Sequence, residues 1–364
     1  NPYVKQIATK WGDIIKKRPY ILGLLLVGFI LIIYLPALDI YLRGDDFELL
    51  NESYGIWKNP ALMFEKVNFF FRPLVKLSYF LNYNLFKTQV PFYNLTNILI
   101  HLLNVFLLYI LVFRISGKNH IAFLISLFYG TSPIYSEATM WCAARSDTIP
   151  LVFMLGALLC YNKNSKETSL SRHIIVILLA LCALGAKETW MLLPFLAFSF
   201  LTAVKEIPFK TALRKTFPLF LLLALYAGYF IGLPLLSGSS AAPTGYAGLG
   251  ILAASEKFTY LIFKYMGLTG YFTGAFWQYI TVFLLLTGLV YRLIRTKNRL
   301  ALWGSIWLLI GISITLPIDF APGRYNYVPL VGFWIMAISF LSHEIGKLWK
   351  RPGGPLGKVF WGFR

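Results

Sequence analysis

The sequence predicts an all-α membrane protein, a polytopic transmembrane bundle of about ten crossings. Three observations carry that prediction. Hydrophobic residues fill 58% of the 364 positions and charged residues only 13%, where a soluble domain carries about a quarter charged residues. Mean hydropathy is +0.66. Lys plus Arg outnumber Asp plus Glu by 34 to 15, but the basic residues gather between apolar runs. That placement is a topology signal and not a nucleic-acid footprint.

A spanning helix takes about 20 mostly apolar residues. On that criterion helices fall near 19–39, 93–113, 120–136, 147–161, 173–187, 189–204, 216–236, 277–292, 300–318 and 328–343. The first apolar stretch is followed by charged sequence and lacks a small-residue cleavage pattern, so it reads as a retained helix. Basic clusters at Lys16–Arg18, Arg114 and Lys118, Lys163–Arg172, Lys205–Lys215, Arg292–Arg299 and Lys347–Arg351 all fall on one side, which is then cytoplasmic. Residues 1–18 form a basic juxtamembrane segment, 19–343 the transmembrane domain and 344–364 a basic cytoplasmic tail.

Two outer loops remain, 40–92 and 237–276. The first is expected to carry short helices. The second holds GSSAAPTGYAGLG and an aromatic run, and reads as an interfacial or re-entrant helix, because a crossing there would invert every later basic segment. Cys142, Cys160 and Cys182 show no C-x-x-C spacing, against a zinc site or disulfide framework.

With the cytoplasmic charge accounted for, the ionisable residues at the outer face become informative, since a charge at membrane depth must face protein or water. Asp45 and Asp46 follow the first helix in YLRGDDF. Adjacent carboxylates repel, which suits a general base or a ligand for a hydroxyl or metal; a solvated loop is the bland alternative. Arg72 and Lys76 lie one helical turn apart in FRPLVKLSYF and share a face that can grip a phosphate. Arg145 and Arg324 flank spanning helices and offer forked donors to a phosphate, or snorkel to the interface. Glu137, Asp147 and Asp319 are further outer charges, and Lys187 and Glu188 either neutralise each other or meet substrate. His101, with Asn97 and Asn104 at helical spacing, suits helix packing.

Several of these segments, GDDF, FRPLVKLSYFLNY, YNLTNILIH, SPIYSEATMWCAARSD, GAKETW and GRYNYVPLVGF, occur in one order from about Asp45 to Phe333. In that order they resemble the GT-C superfamily of multispanning glycosyltransferases, and within it the transmembrane O-mannosyltransferase-like proteins that carry tetratricopeptide repeats. The resemblance implies a GT-C-like fold and transfer of a sugar, mannose among the options, from a polyprenyl-phosphate carrier to an acceptor hydroxyl, with inversion. Asp45 or Asp46 would be the base. Arg72, Arg145 and Arg324 would bind the donor phosphate, and Lys76, Glu137, Asp147, Lys187 and Glu188 would line the substrate site.

Asn94 stands where the family often has histidine, and no tetratricopeptide repeat occurs in these residues. The acceptor therefore stays open between protein, lipid and glycan. No cofactor beyond the donor lipid is required on this reading, and a divalent metal is left open. Expected partners are membrane lipid, the lipid-linked sugar and a possible membrane-protein complex, with no nucleic acid. The expected location is a bacterial inner membrane with the site facing the periplasm. A non-catalytic GT-C-like scaffold is the alternative; a transporter is disfavoured by the lack of an inverted repeat.

Overall fold

The computed structural model describes residues 20–65, 70–162, 170–229, 251–271, 273–316 and 322–350. The basic segment at 1–18, Lys66, most of the basic segment 163–172, residues 230–250 with the end of the expected helix 216–236 and the start of the expected loop 237–276, Asp319 and the tail beyond 350 lie outside them. Among the described residues the chain is helical throughout, with no β-strand.

Helix α1 (Tyr20–Tyr34) gives way to a 3-10 turn, Leu35–Asp39, where Pro36 enters the first turn. The segment expected as the first outer loop, 40–92, then folds into α2 (Asp45–Ile56), a second 3-10 turn (Pro60–Phe64) and α3 (Pro73–Phe86), the short helices expected there. α4 (Val90–Ser116) is the longest early span. Pro91 sits in its first turn, and Gly117, at φ 65°, closes it by donating its N–H to the Phe113 carbonyl at 2.8 Å, a left-handed cap that favours glycine.

α5 (Asn119–Gly130) is shorter than the expected 120–136. Pro133 disfavours the α conformation in Ser132, which is extended (ψ 124°), and a 3-10 turn follows at Pro133–Tyr135. A one-turn helix α6 (Ser136–Met140) and the turn Cys142–Ala144 lead into α7 (Arg145–Asn162). α8 (Leu170–Leu184), α9 (Leu193–Ser199) and α10 (Phe209–Ala227) complete the middle of the chain. Past residue 250 come α11 (Ile251–Tyr265), α12 (Phe276–Thr296), α13 (Arg299–Thr315) and α14 (Pro329–Lys350).

Among the described residues five helices are long and apolar enough to cross a membrane: Tyr20–Asp39, Val90–Ser116, Cys142–Asn162, Trp277–Thr296 and Pro329–Lys347. Three more apolar helices, Leu170–Leu184, Glu188–Val204 and Arg299–Thr315, are shorter. The described residues thus form a helical bundle with five candidate spans by length and composition, where about ten crossings are expected from the sequence. The difference has local causes: prolines and polar turns cut apolar stretches that read as continuous, and α10 starts at Phe209 and takes in Lys210, Arg214 and Lys215.

Two kinds of packing hold the bundle. α13 and α14 form the most extensive helix pair, and glycines let them approach closely: a Cβ on Gly304 would lie 2.5 Å from the Met336 backbone, one on Gly311 2.8 Å from Pro329, and one on Gly332 would collide with the Leu308 backbone. Between apolar helices in lipid, such small residues supply the close contact that drives association. α4 instead presents a buried polar stripe. Its His101 lies 2.8 Å from the Tyr327 hydroxyl and 3.0 Å from the Gly130 carbonyl, while Asn104 donates to the Thr148 carbonyl at 2.8 Å and to Tyr327 at 3.1 Å. The stripe therefore has the packing role expected of it, linking α4 to α5, α7 and the start of α14.

Gly332→Val should lower the thermal unfolding midpoint of the purified protein, at a cost of about 1–3 kcal/mol or more for overpacking. Gly346→Val, on the same helix with open space around it, should leave the midpoint within a degree or two; equal effects would remove the close-packing argument.

Candidate active site

The GDD dipeptide divides into two unlike carboxylates. Gly44 adopts φ 54°, a backbone state that suits glycine, and this turns the chain so that α2 begins at Asp45. Successive helical side chains point about 100° apart, so Asp46 faces inward and Asp45 outward. Asp46 is 1% exposed and accepts three hydrogen bonds: from the Arg43 N–H at 2.9 Å, the Tyr79 hydroxyl at 2.7 Å and the Ala143 N–H at 2.6 Å. It clamps α2, α3 and the Cys142–Ala144 turn together. The Asp45 carboxylate is exposed and has no partner among the described residues.

Arg145 opens α7 and is fully buried. Its Nε donates to Asn97 Oδ1 (3.1 Å) and the Cys142 carbonyl (3.2 Å), Nη1 to Ser78 Oγ (3.2 Å) and Asn82 Oδ1 (2.7 Å), and Nη2 to the Tyr93 carbonyl (3.1 Å). The guanidinium also lies 4.4 Å from the Tyr79 ring centroid. All three of its nitrogens are engaged by neutral acceptors, so a phosphate would have to displace several of these bonds to reach it. Tyr79 thus touches both groups, its ring on Arg145 and its hydroxyl on Asp46, and burial pushes that hydroxyl well above its usual pKa. Lys76 is likewise occupied: its Nζ reaches the Leu62 carbonyl (3.0 Å), the Glu65 carbonyl (3.2 Å) and Glu52 (3.2 Å). It pins the Pro60–Phe64 turn, and sharing a phosphate with Arg72 would require it to leave these partners.

The remaining predicted residues come together. Leu74 N–H donates to the Gly185 carbonyl at 2.9 Å, which sets the start of α3 beside the Lys187–Glu188 turn and brings Arg72 within 3.0 Å of Glu188. Lys187 meets Asp147 at 2.5 Å. Arg324, in the 3-10 turn Gly323–Asn326, pairs with Glu137 and lies 3.7 Å from Asp147. Three cations and three carboxylates from five segments of the chain form one cluster of zero formal charge. Burial pushes the Lys187 ammonium below its usual range; Arg72 adds to that, while Asp147 and Glu188 oppose it. Within the cluster Arg72 Nε and Asp147 Oδ2 are buried without a hydrogen-bond partner, as is the neighbouring Thr189 hydroxyl, although buried polar groups are normally satisfied.

Two aromatic residues that the sequence pattern does not single out join the parts. Trp141 donates its indole N–H to the Arg43 carbonyl at 3.0 Å and carries the Arg324 guanidinium 4.6 Å from its ring centroid. It therefore bridges the GDD loop and the cation cluster. Tyr325 lies under Lys187, 4.3 Å from ring centroid to Nζ, and beside Arg324. The available signals were positional: Trp141 lies four residues before Arg145 and Tyr325 next to Arg324. Among the described residues no three of His, Cys, Asp and Glu gather as a metal site.

Known proteins add a distant likeness. No known family profile matches the sequence, and no solved structure matches. The protein O-mannosyl-transferase F38B6.6 of Caenorhabditis elegans is 27% identical over 176 residues, covering 43% of this chain and 25% of that protein. The protein O-mannosyl-transferase TMTC3 of Homo sapiens is 28% identical over 108 residues, covering 30% of this chain and 12% of that protein. Both are named as sugar transferases. The chain spans a quarter or less of the length of these relatives, and their animal origin lends nothing to the expected bacterial inner membrane.

Two outcomes follow from the geometry. Arg145→Met should strip five acceptors of their donor and destabilise the fold by about 3 kcal/mol or more, while Asp45→Asn leaves the unfolding midpoint unchanged. Because the Lys187 pKa is lowered, its charge is lost at a lower pH than an ordinary lysine's as pH rises. Any anion that this ammonium helps to hold should therefore lose affinity at a lower pH than an ordinary lysine would set, and Lys187→Arg should remove that limb from a pH titration of anion binding.

Proposed function

We propose that the chain is a glycosyltransferase that moves a sugar from a polyprenyl-phosphate carrier to an acceptor hydroxyl on the non-cytoplasmic face. The observation that carries this reading is the convergence of Arg72, Lys187 and Arg324 around buried, unpartnered polar atoms, joined through Trp141 to the loop bearing the solvent-facing Asp45. The distant O-mannosyl-transferase relatives point the same way and make mannose the first sugar to try.

On this reading Asp45 takes the acceptor hydroxyl proton as the oxygen attacks the sugar C1. The bond from C1 to the phosphate oxygen breaks, the anomeric centre inverts, and polyprenyl phosphate leaves with the bonding electron pair. Charge that develops on the leaving phosphate needs donors already in place, and Arg72, Arg324 and Lys187 supply them. Glu137 and Glu188, both partly exposed at 31% and 28%, are the carboxylates able to swing away as the phosphate arrives. Asp147, buried, stays to hold Lys187. Arg145, Asp46 and Lys76 take no part in this scheme except to hold the loop, and the apolar bundle holds the polyprenyl chain.

One observation favours a non-catalytic scaffold instead: every cation of the cluster already has a carboxylate partner, as in a purely structural network. The two readings part on direct measurement. In membranes supplied with radiolabelled polyprenyl-phosphate mannose and candidate acceptors, Asp45→Asn should cut transfer about 100-fold or more. Arg324→Gln should raise the donor KM about tenfold or more. Failure to detect transfer or binding with any lipid-linked sugar would leave the scaffold as the answer, and undiminished transfer in Asp45→Asn would remove that residue as the base.

A further inference from the structure

The end of the bundle remote from Arg324 carries a second arrangement that the transfer reaction does not use. An apolar groove of about 300 Å³ runs between α12, α13 and α14, with Ile262 of α11 on its wall, and includes Phe283, Val290, Ser305, Leu308 and Met336. α12 stands off the bundle: only 17% of its spanning window is buried, and Phe283, Leu284, Leu285 and Ile294 are exposed. In a bilayer this groove faces hydrocarbon.

At its cytoplasmic mouth the charge is one-sided. Arg292, Arg295, Lys297, Arg299 and Lys347 stand there against Glu344 and Glu206. Arg292 and Lys347 share Glu344, at 2.5 and 3.6 Å, and Arg299 pairs with Glu206. Arg295 and Lys297 are exposed with no carboxylate partner among the described residues; Arg295 donates only to the Tyr291 hydroxyl, at 3.2 Å. At about 1.5 Å per residue, Thr287 in the groove lies roughly 12 Å from Arg295. That is less than half the ~30 Å hydrocarbon core, within the reach of one acyl chain.

We infer that this groove and its basic mouth form a binding site for an anionic phospholipid of the cytoplasmic leaflet. An acyl chain lies along α12 and the phosphate rests on Arg295 and Lys297. A zwitterionic lipid would fill the groove equally well but leave those two cations without a net counter-charge, whereas basic residues at the cytoplasmic end of spanning helices attract anionic headgroups by about 1 kcal/mol each. The proposal does not rest on the transfer reaction, because the two cations that carry it, Arg295 and Lys297, make no contact with Asp45, Lys187 or Arg324 among the described residues.

Native mass spectrometry of the purified full chain tests this, with phosphatidylglycerol and phosphatidylcholine of identical acyl chains titrated separately and inorganic phosphate as a third arm. Phosphatidylglycerol should bind more tightly than phosphatidylcholine. Arg295→Gln and Lys297→Gln should each weaken it about fivefold and leave phosphatidylcholine and any sugar transfer unchanged. Thr287→Trp, which fills the groove from its exposed side, should weaken both lipids. Equal affinity for the two lipids, or charge variants without effect, would overturn the proposal. So would millimolar inorganic phosphate displacing phosphatidylglycerol completely, which marks a free-anion site. If Thr287→Trp spares phosphatidylglycerol and instead weakens polyprenyl phosphate binding, the groove belongs to the donor.

Discussion

The half of the protein that carries the GDD loop depends on one buried guanidinium. Arg145 sits at the start of α7 with no solvent exposure and donates to side chains or carbonyls of α3, α4 and the Cys142–Ala144 turn. A buried cation is costly unless its donors are all engaged, so the surrounding asparagines and carbonyls must hold their places together. Asp46 closes the same assembly from the other side through Tyr79 and Ala143. The first outer loop is thereby fastened to the spanning bundle, and with it the position of Asp45.

This explains why chemically similar residues have unlike roles. Asp45 and Asp46 are neighbours, as are the turns bearing Arg72 and Lys76, yet one of each pair is consumed by the fold. A carboxylate with three donors or an ammonium with two carbonyls and a carboxylate has little left to offer a ligand. The groups with capacity to spare are Asp45 and the members of the Arg72, Lys187 and Arg324 cluster, where opposite charges meet in a partly buried pocket and several polar atoms are unsatisfied. Zero formal charge there has a physical use: it limits the cost of burying three cations, and the partly exposed Glu137 and Glu188 can return to water when an anion replaces them.

The two ends of the bundle handle charge in opposite ways. At the outer end cations are paired and enclosed by aromatic rings, Trp141 and Tyr325 among them. At the cytoplasmic end they stand exposed and in excess. Mobile, solvated charge attracts lipid headgroups over a Debye length, whereas enclosed charge discriminates by contact. One chain thus carries solvated basic charge at one end and paired, enclosed charge at the other.

By itself the sequence determined the helical class and the apolar, membrane-compatible character of the long helices, because hydropathy acts locally and needs no knowledge of what packs on what. It also placed the polar stripe of α4 correctly, since helical spacing alone puts Asn97, His101 and Asn104 on one side. The number of long spans was less legible: Pro133 and its turn end a helix that composition would continue. Which of Asp45 and Asp46 is saturated, that Arg145 is sealed while Arg324 is not, and that Trp141 joins the GDD loop to the cations were decided only by the tertiary structure. Those outcomes depend on donors and acceptors up to 187 residues away along the chain, as with Arg324 and Glu137. A side chain's capacity to bind anything is what remains after such partners have been satisfied.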